Sequence, residues 1–333
     1  MVGSKDNNRI GGKWLVSLLK PGKSEKEPIR GAGQWAVAWR RFKKHKSGLF
    51  GLFLVIGLIV IALLNGFIAP YPARPDPDAY MPLYLGEAGK PPSYNHIFGT
   101  TVAGTDVLSD VIHASVYTVY VAIVGTILTI ALVVLVGVIS GYMAGYVDEA
   151  LMRITEIFLV FPALLLILVF ARLYQASPAY QPSYSLGPIL IPAGLTLVIL
   201  IVSIFSWAGY ARVIRGEVMR IRESEYVQAA KSLGASSSWI MTKHIIPNIL
   251  PQIIVIATLT MASIVLIEAG VTFLGFGDPN TVTWGSLMQE NLSYMSSMWW
   301  SVIFPGLAIF LTVLAFNLVG DGLADAINPR LRE

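Results

Sequence analysis

The chain of 333 residues contains no cysteine. That absence removes disulfides, thiolate metal sites and cysteine nucleophiles from consideration. Histidine is scarce too: His45, His96, His113 and His244 are scattered, with no metal-ligand spacing among them. Charged residues make up only 13% of the chain against 55% hydrophobic, and the mean hydropathy is +0.65. Soluble domains carry about 25% charge, so the composition belongs to a polytopic membrane protein. A phosphate-binding loop is missing as well. Gly22-Lys23-Ser24 ends such a pattern, but Ser17 stands where its first glycine belongs, and no strand pattern precedes it. The sequence therefore predicts no nucleotide site of its own. Residues 1–47 hold no apolar run long enough for a signal-peptide core. No His/Glu metal pair or Ser/His/Asp set sits at membrane depth, which argues against an intramembrane enzyme.

What the chain does have is long apolar runs. Leu49–Ala69 is uncharged over 21 residues, enough at ~1.5 Å per residue to cross a ~30 Å hydrocarbon core. Pro70, Pro72, Pro75 and Pro77 end it. Five further spans are predicted: Ser115 to about Ile139; one centred on Ile157–Ala171, kinked at Pro162 and borrowing length from Leu151–Ile154; about Gly187–Trp207; Ile249–Ile267, continuing through Glu268; and Trp299–Gly320, with Pro305 near its start. Gly137, Gly141 and Gly145 form a ridge, four residues apart, that would let helix backbones approach closely. The expected fold class is all-α, with six transmembrane helices.

Six spans put both termini on one side. Lys and Arg number 12 in residues 1–47, one in 140–153, six in 209–248 and two in the tail; the opposite loops hold two (70–114), one (Arg172) and none (275–298). The balance of 21 against 3 places both termini and the central loop in the cytosol. Trp35 to Ser47 reads as a short amphipathic helix on the membrane surface, its tryptophans at headgroup level and its cations in water. Lying directly before a span, this basic run is a topogenic anchor rather than a nucleic-acid-binding tail. The chain divides into a basic cytosolic segment (1–47), a transmembrane domain (48–320) with an extracytoplasmic loop at 70–114 and a cytosolic loop at 209–248, and a cytosolic tail (321–333).

The stretch around which the rest is organised runs from Arg212 to Pro251, a polar island with six Lys or Arg residues between apolar runs. Within it, Tyr226, Ala229, Ala230 and Leu233 fall on one helical face, and two alanines there allow a close approach to whatever lies opposite. Gly234 stands where a left-handed residue would end that helix. Ser236, Ser237 and Ser238 can cap a second short helix that ends before Pro247. An ordinary amphipathic helix in a cytosolic loop is the plainer alternative; a knob that docks into another protein is the sharper one.

This stretch resembles the EAA loop of ABC-importer permeases: Glu-Ala-Ala, three residues, Gly, about nine residues, then an apolar residue, any residue, Leu and Pro. Ala229, Ala230, Gly234 and Pro247 match, while Gln228 stands for the glutamate, His244 for the apolar residue and Ile246 for the leucine. Further stretches resemble the dipeptide/oligopeptide/nickel branch, in its second-permease form: Trp39-Arg40-Arg41-Phe42, His96-Ile97-Phe98-Gly99-Thr100, Phe273 to Gly277, Trp284-Gly285, Pro305 to Ile309, and Asn317 to Leu323 followed by Asp325, Pro329 and Arg330. The outer loop departs from it. Where the family has Thr-Asp-x-x-Gly-Arg-Asp, this chain keeps Gly104 and Asp106 but lacks the first Asp and the Arg.

The resemblance implies a type I ABC-importer permease fold in the cytoplasmic membrane of a prokaryote. The chain would be a non-catalytic subunit forming half of a translocation path, with di- or oligopeptides as cargo and oligosaccharides or nickel as alternatives. The implied partners are a homologous second permease, two ATPase subunits that hold ATP and magnesium, an extracytoplasmic substrate-binding protein and the lipid bilayer, with no nucleic acid. ATPase coupling would fall on Glu225, Tyr226, Gln228, Ala229, Ala230, Leu233, Gly234, Ile246 and Pro247. Glu268, with no second acid or histidine at its depth, is either an intramembrane polar site or a hydrogen-bonded structural group. A self-sufficient secondary transporter would instead show repeated halves, paired intramembrane charges or broken helices at the midplane, and none is convincing in the sequence.

Overall fold

The computed structural model describes residues 34–73, 85–176, 184–186, 189–191, 193–279 and 281–327. The sequence readings of residues 1–33, Pro75, Pro77, Gly187, Pro329 and Arg330 lie outside these.

The axis of the molecule is helix α4, Val107–Met143, at 37 residues far longer than the predicted Ser115–Ile139. Its earlier start has a local cause. Asp106 caps it by accepting from the backbone N–H of Ser109, and Ser109 and Asp110 of its first turn are buried in protein rather than lipid. Hydropathy under-reads such a turn. The buried side of α4 is lined by small residues, among them Ala114, Ser115, Ala122, Gly125, Gly137 and Gly141. A Cβ on Gly137 would lie 2.8 Å from Ile214, and one on Gly141 only 2.7 Å from the carbonyl of Arg215. The glycine ridge thus does bring two backbones together, but only over its first two members. Gly145 faces open space with φ +61°, and beside it Ala144 has φ 54°. These two left-handed residues stop α4 instead of continuing the ridge.

In chain order, α1 (Gln34–Phe42) precedes the first span α2 (Lys46–Leu63), which a short helix α3 (Asn65–Ile68) extends. After α4 come α5 (Gly145–Val160) and α6 (Ala163–Gln175), which meet at 81°. Pro162, expected to kink the third span, breaks it. Proline offers no N–H, and the residue before it is driven to extended backbone, as Phe161 is at φ −78°, ψ 139°. The fourth predicted span is shorter than its apolar run. Tyr184–Leu186 (β1) and Ile189–Ile191 (β2) pair antiparallel, and helix begins only at Ala193. Two residues that cannot donate, Pro188 and Pro192, flank β2 in the sequence. Helix α7 (Ala193–Ser206) then bends by 47° into α8 (Ala208–Arg222). A short α9 (Glu225–Ser232) leads into α10, continuous from Ser237 to Phe276. Helix α11 (Trp284–Asn291) and the last span α12 (Trp300–Ile327) complete the chain. The latter runs past Gly320 into the predicted tail.

Among the described residues four helices are long and apolar enough to cross a membrane, and counting each bent pair as one span brings the number to six. The architecture is all-α apart from the small β-pair. Two of its buried clusters lie towards opposite ends of α4: one around Val133, Val218, Val227, Ile240 and Ile249, and one around Val121, Leu195, Ile199 and Ile264.

Candidate functional site

The central loop is clamped to α4 before it turns. Arg215 of α8 forms a fork onto Asp148 of α5, with Nε donating to Oδ1 at 2.6 Å and Nη2 to Oδ2 at 2.5 Å, while the Ser140 hydroxyl also donates to Oδ1. Bidentate pairing of this kind fixes direction as well as distance. Two turns further on, Arg222 donates to the carbonyl of Tyr142 at 3.2 Å. Together with the Gly137 and Gly141 contacts, these bonds lock α8 onto the last two turns of α4.

Helix α9 is carried on this platform. Its inner side is Val227, 1% exposed, with Ala230 half-buried against the same cluster. Its outer side is Tyr226, Ala229 and Leu233, the last 88% exposed. The predicted stripe is therefore split: Ala230 turns inward, because the one apolar side chain between Tyr226 and Gln228 sets the helix phase. Val227 escaped notice in the sequence, where a single valine in a polar helix carries no periodic signal.

Gly234 ends α9 as expected, at φ +82° with nothing within 4 Å of an added Cβ. The demand there is conformational, not steric. The N–H of Gly234 donates to the carbonyl of Lys231 at 3.0 Å, and that of Ala235 to Ala230 at 3.1 Å. This is the paired bonding of a Schellman motif, and Ala230 and Ala235 supply its apolar contact against the core. Ser236 then caps α10, accepting from the N–H of Trp239 at 3.4 Å. The second helix does not end before Pro247. A π-helical turn over Met241–Ile245 widens the coil directly before Pro247, and the helix runs on through it from Ile246.

Gln228 turns back on its own loop, its Nε2 donating to the carbonyl of Arg222 at 3.0 Å. Glu225, Gln228 and Pro247 are exposed, and Ile246 is half-buried. Tyr226 and Trp239, both exposed, flank His244, with ring centroids 5.9 and 4.9 Å from it. Leu233, Tyr226 and Trp239 thus leave large apolar surface at the tip of an otherwise charged loop. Trp239 and His244 were outside the predicted set, since their ring contacts cross from one helix to the next.

Glu268 lies well inside α10, two turns before its end, and is 4% exposed. Its Oε1 has no hydrogen-bond partner among the described residues. The N-cap of α11 is pressed against this part of α10. Thr283 donates to the Thr272 hydroxyl at 3.3 Å, and a Cβ on Gly285 would collide with Thr272 and the Ala269 carbonyl. Glu268 is not the sole buried acid: Asp106, Asp110 and Asp278 are buried as well. Short carboxylates satisfied by neighbouring hydroxyls at helix caps escape a reading based on depth alone.

The departing outer loop closes by other means. The Thr101 and Thr105 hydroxyls lie 2.8 Å apart, and Thr105 donates to Asp110 at 2.5 Å. His96 is buried, with Nδ1 3.0 Å from Asp106 and Nε2 3.4 Å from Glu87. The Lys90 ammonium, 2.5 Å from Glu87, holds that carboxyl below the usual carboxylate range. Tyr71, Glu87, Asn95, His96 and Asp106 line a cavity of about 220 Å³ here.

Comparison with known proteins agrees with this layout. Residues 133–333 match the model of the family "binding-protein-dependent transport system inner membrane component", and residues 33–86 match the "N-terminal TM domain of oligopeptide transport permease C". The chain is 31% identical over 331 residues to the dipeptide transport system permease protein DppC of Bacillus subtilis, covering 98% of this chain and 96% of the relative. It is 32% identical to the oligopeptide transport system permease protein OppC of the same organism, covering 94% and 95%. With the glutathione transport system permease protein GsiD of Escherichia coli the identity is 33%, over 90% and 91%. A clamped polar loop between apolar spans and matches over nearly the whole length lead to one assignment: the chain belongs to the inner-membrane permease components of binding-protein-dependent ABC transport systems.

Proposed function

We propose that this chain is one of two permease subunits of an importer for short peptides, forms half of the translocation path, and performs no catalysis itself. ATP and magnesium are held by two partner ATPases, and an extracytoplasmic binding protein delivers the cargo. Both termini face the cytosol of a prokaryotic cell, as the 21-to-3 distribution of Lys and Arg supports. Residues 1–47, 48–320 and 321–333 act as interfacial segment, transmembrane domain and tail.

The observation that carries this reading is the tip of the central loop. Helix α9 presents Tyr226, Ala229 and the 88%-exposed Leu233 outward, while Val227, Ala230 and the Gly234 turn fix it to a platform bolted onto α4. Such a knob transmits a push from the ATPase into the spans as a rigid body. Glu225 and Gln228 border the contact, and Ile246 and Pro247 form the root through which motion enters α10. Glu268 serves structure, seated where α11 presses on α10. The relatives named for dipeptides, oligopeptides and glutathione support a peptide cargo.

Affinity purification of the tagged chain from native membranes in mild detergent tests the assembly. A second permease, ATPase subunits and ATP hydrolysis in the eluate are the expected result, with peptide-stimulated turnover once the binding protein is added. A lone chain that moves peptide in liposomes without ATPase activity would overturn it.

A further inference from the structure

The cations of the central region are mostly neutralised within the protein. Arg153, Arg212, Arg215, Arg220 and Arg222 each have an acid in reach. The corner between α1 and α2 is different. Arg40, Lys43, Lys44 and Lys46 are all exposed, and none has an acidic partner among the described residues. Four positive charges within seven residues stand at the very start of the first span.

The backbone of the corner is packed against α12, which fixes where these charges are anchored. Phe42 is buried, and a Cβ on Gly48 would lie 3.0 Å from its ring and 3.2 Å from the Cα of Gly322. His45 uses both ring nitrogens: Nδ1 accepts from the N–H of Gly48 at 3.1 Å, capping α2, and Nε2 lies 3.1 Å from Asp325 of α12. Apolar surface adjoins the cations on the same corner. Trp39 stacks on Phe42 while half its surface stays exposed, with the Lys43 ammonium 5.3 Å from its ring centre. On α2, Phe50 and Phe53 are exposed, the latter at 71%.

We infer that this corner is a binding site for the headgroup of an anionic phospholipid. Arg40, Lys43, Lys44 and Lys46 face the phosphate and glycerol oxygens, Trp39 sits at the interfacial level, and Phe50 and Phe53 border the acyl chains. Charge and apolar surface lie in the order a lipid presents them. A nucleic acid has no use for the exposed phenylalanines at membrane depth, and a free anion has no use for them either. The inference does not depend on the cargo or on the ATPase contact.

The test is native mass spectrometry of the full chain, purified with its co-purifying subunits in neutral detergent and titrated with phosphatidylglycerol or phosphatidylcholine. The wild type is expected to retain phosphatidylglycerol preferentially. Charge near a membrane surface is worth about five-fold in affinity per Lys or Arg. The combined R40Q/K43Q/K44Q/K46Q variant is therefore expected to lose the preference, and each single substitution to weaken it by a few-fold. The R153Q/R220Q variant, which removes two paired cations, is expected to keep it. Equal retention of both lipids by the wild type would overturn the inference, whatever the variants do. So would an undiminished preference in the four-fold variant, an equal loss in the R153Q/R220Q control, or displacement of the lipid by millimolar inorganic phosphate or by an RNA oligonucleotide.

Discussion

The side-chain amide of Gln228 donates to the main-chain carbonyl of Arg222 at 3.0 Å, tying the outer face of α9 to the end of α8. A glutamate at this position, the residue of the EAA pattern, has no hydrogen to donate when ionised. The departure from that pattern therefore has a physical counterpart: here the side chain braces its own loop.

Gln228→Glu is expected to cost about 1 kcal/mol of local stability, the ordinary worth of one hydrogen bond. Amide hydrogen exchange across Glu225–Ser232 should accelerate several-fold, with global stability of the chain unchanged. Unaltered exchange would mean that the brace contributes nothing.

At Gly234 the requirement is a backbone angle, φ +82°, in open surroundings. Gly234→Val should destabilise the turn by about 1–2 kcal/mol, and Gly234→Asn by much less, since asparagine tolerates the left-handed region. In the purified complex, the valine variant should still assemble but lose stimulation of ATP hydrolysis by substrate. The asparagine variant should retain it. Stimulation equal to wild type in the valine variant would remove α9 from the coupling path.

Gly141 and Gly145 make a controlled pair. A methyl at Gly141 meets the Arg215 carbonyl at 2.7 Å, whereas at Gly145 it meets nothing but carries φ +61°. Gly141→Ala is expected to cost about 1–3 kcal/mol through overpacking, and Gly145→Ala about 1 kcal/mol through backbone strain. Thermal unfolding in detergent should rank them in that order. The reverse ranking would show that α4 and α8 yield at their contact.

How much of this was legible in the sequence depended on what each residue answers to. Gly234 could be read because a left-handed turn is a property of one residue and its neighbours. Leu233 and Tyr226 could be read as one face because helical spacing is local. The direction of that face could not, since Ala230 turns inward only because Val227 finds the cluster formed by α8 and α10. Span limits failed where neighbouring elements changed the solvent. Val107–Ala114 is too polar for lipid but is housed in protein, and Ile189–Ile191 is apolar enough for a helix but pairs as a strand. Pro247 was read as a stop because a π turn four residues upstream leaves no mark in composition. His96, Asp106 and Glu87 were dispersed in the sequence, and only the folded outer loop brings them together.

That outer cluster has a pH dependence of definite sign. Lys90 keeps the Glu87 carboxyl below its ordinary value of 4.5. The folded pKa is depressed, so the contact stabilises the loop at neutral pH and is lost as pH falls through that lowered value. The chain has no cysteine, and Tyr94 is fully exposed beside the cluster. A fluorophore on Tyr94→Cys should therefore report a transition below the usual carboxylate range, and Glu87→Gln should abolish it. A transition that persists unchanged in the Glu87→Gln variant would show that the Glu87 carboxyl is not its source.

Glu268 offers a contrast between shape and chemistry. Glu268→Gln keeps the volume and one acceptor oxygen, exchanging the other for an NH2 donor, while Glu268→Ala opens a gap between α10 and α11. The alanine variant should lose about 2–4 kcal/mol and the glutamine variant about 1 kcal/mol or less. Equal losses in unfolding experiments would show that the carboxylate itself is required.

The length of α4 sets the scale on which the two sides of the membrane communicate. Thirty-seven residues make a rod of roughly 55 Å, well beyond the hydrocarbon layer. One end is held by Asp106 and the outer-loop hydroxyls, the other by Gly141 against Arg215 and by Ser140 on Asp148. Pivoted at its middle, such a beam converts a tilt of ~10° into displacements of ~5 Å at each tip, in opposite directions. On the proposed reading, a shove on the end at Gly141 reaches the other end as a swing of the His96 cavity, with no chain of small adjustments in between.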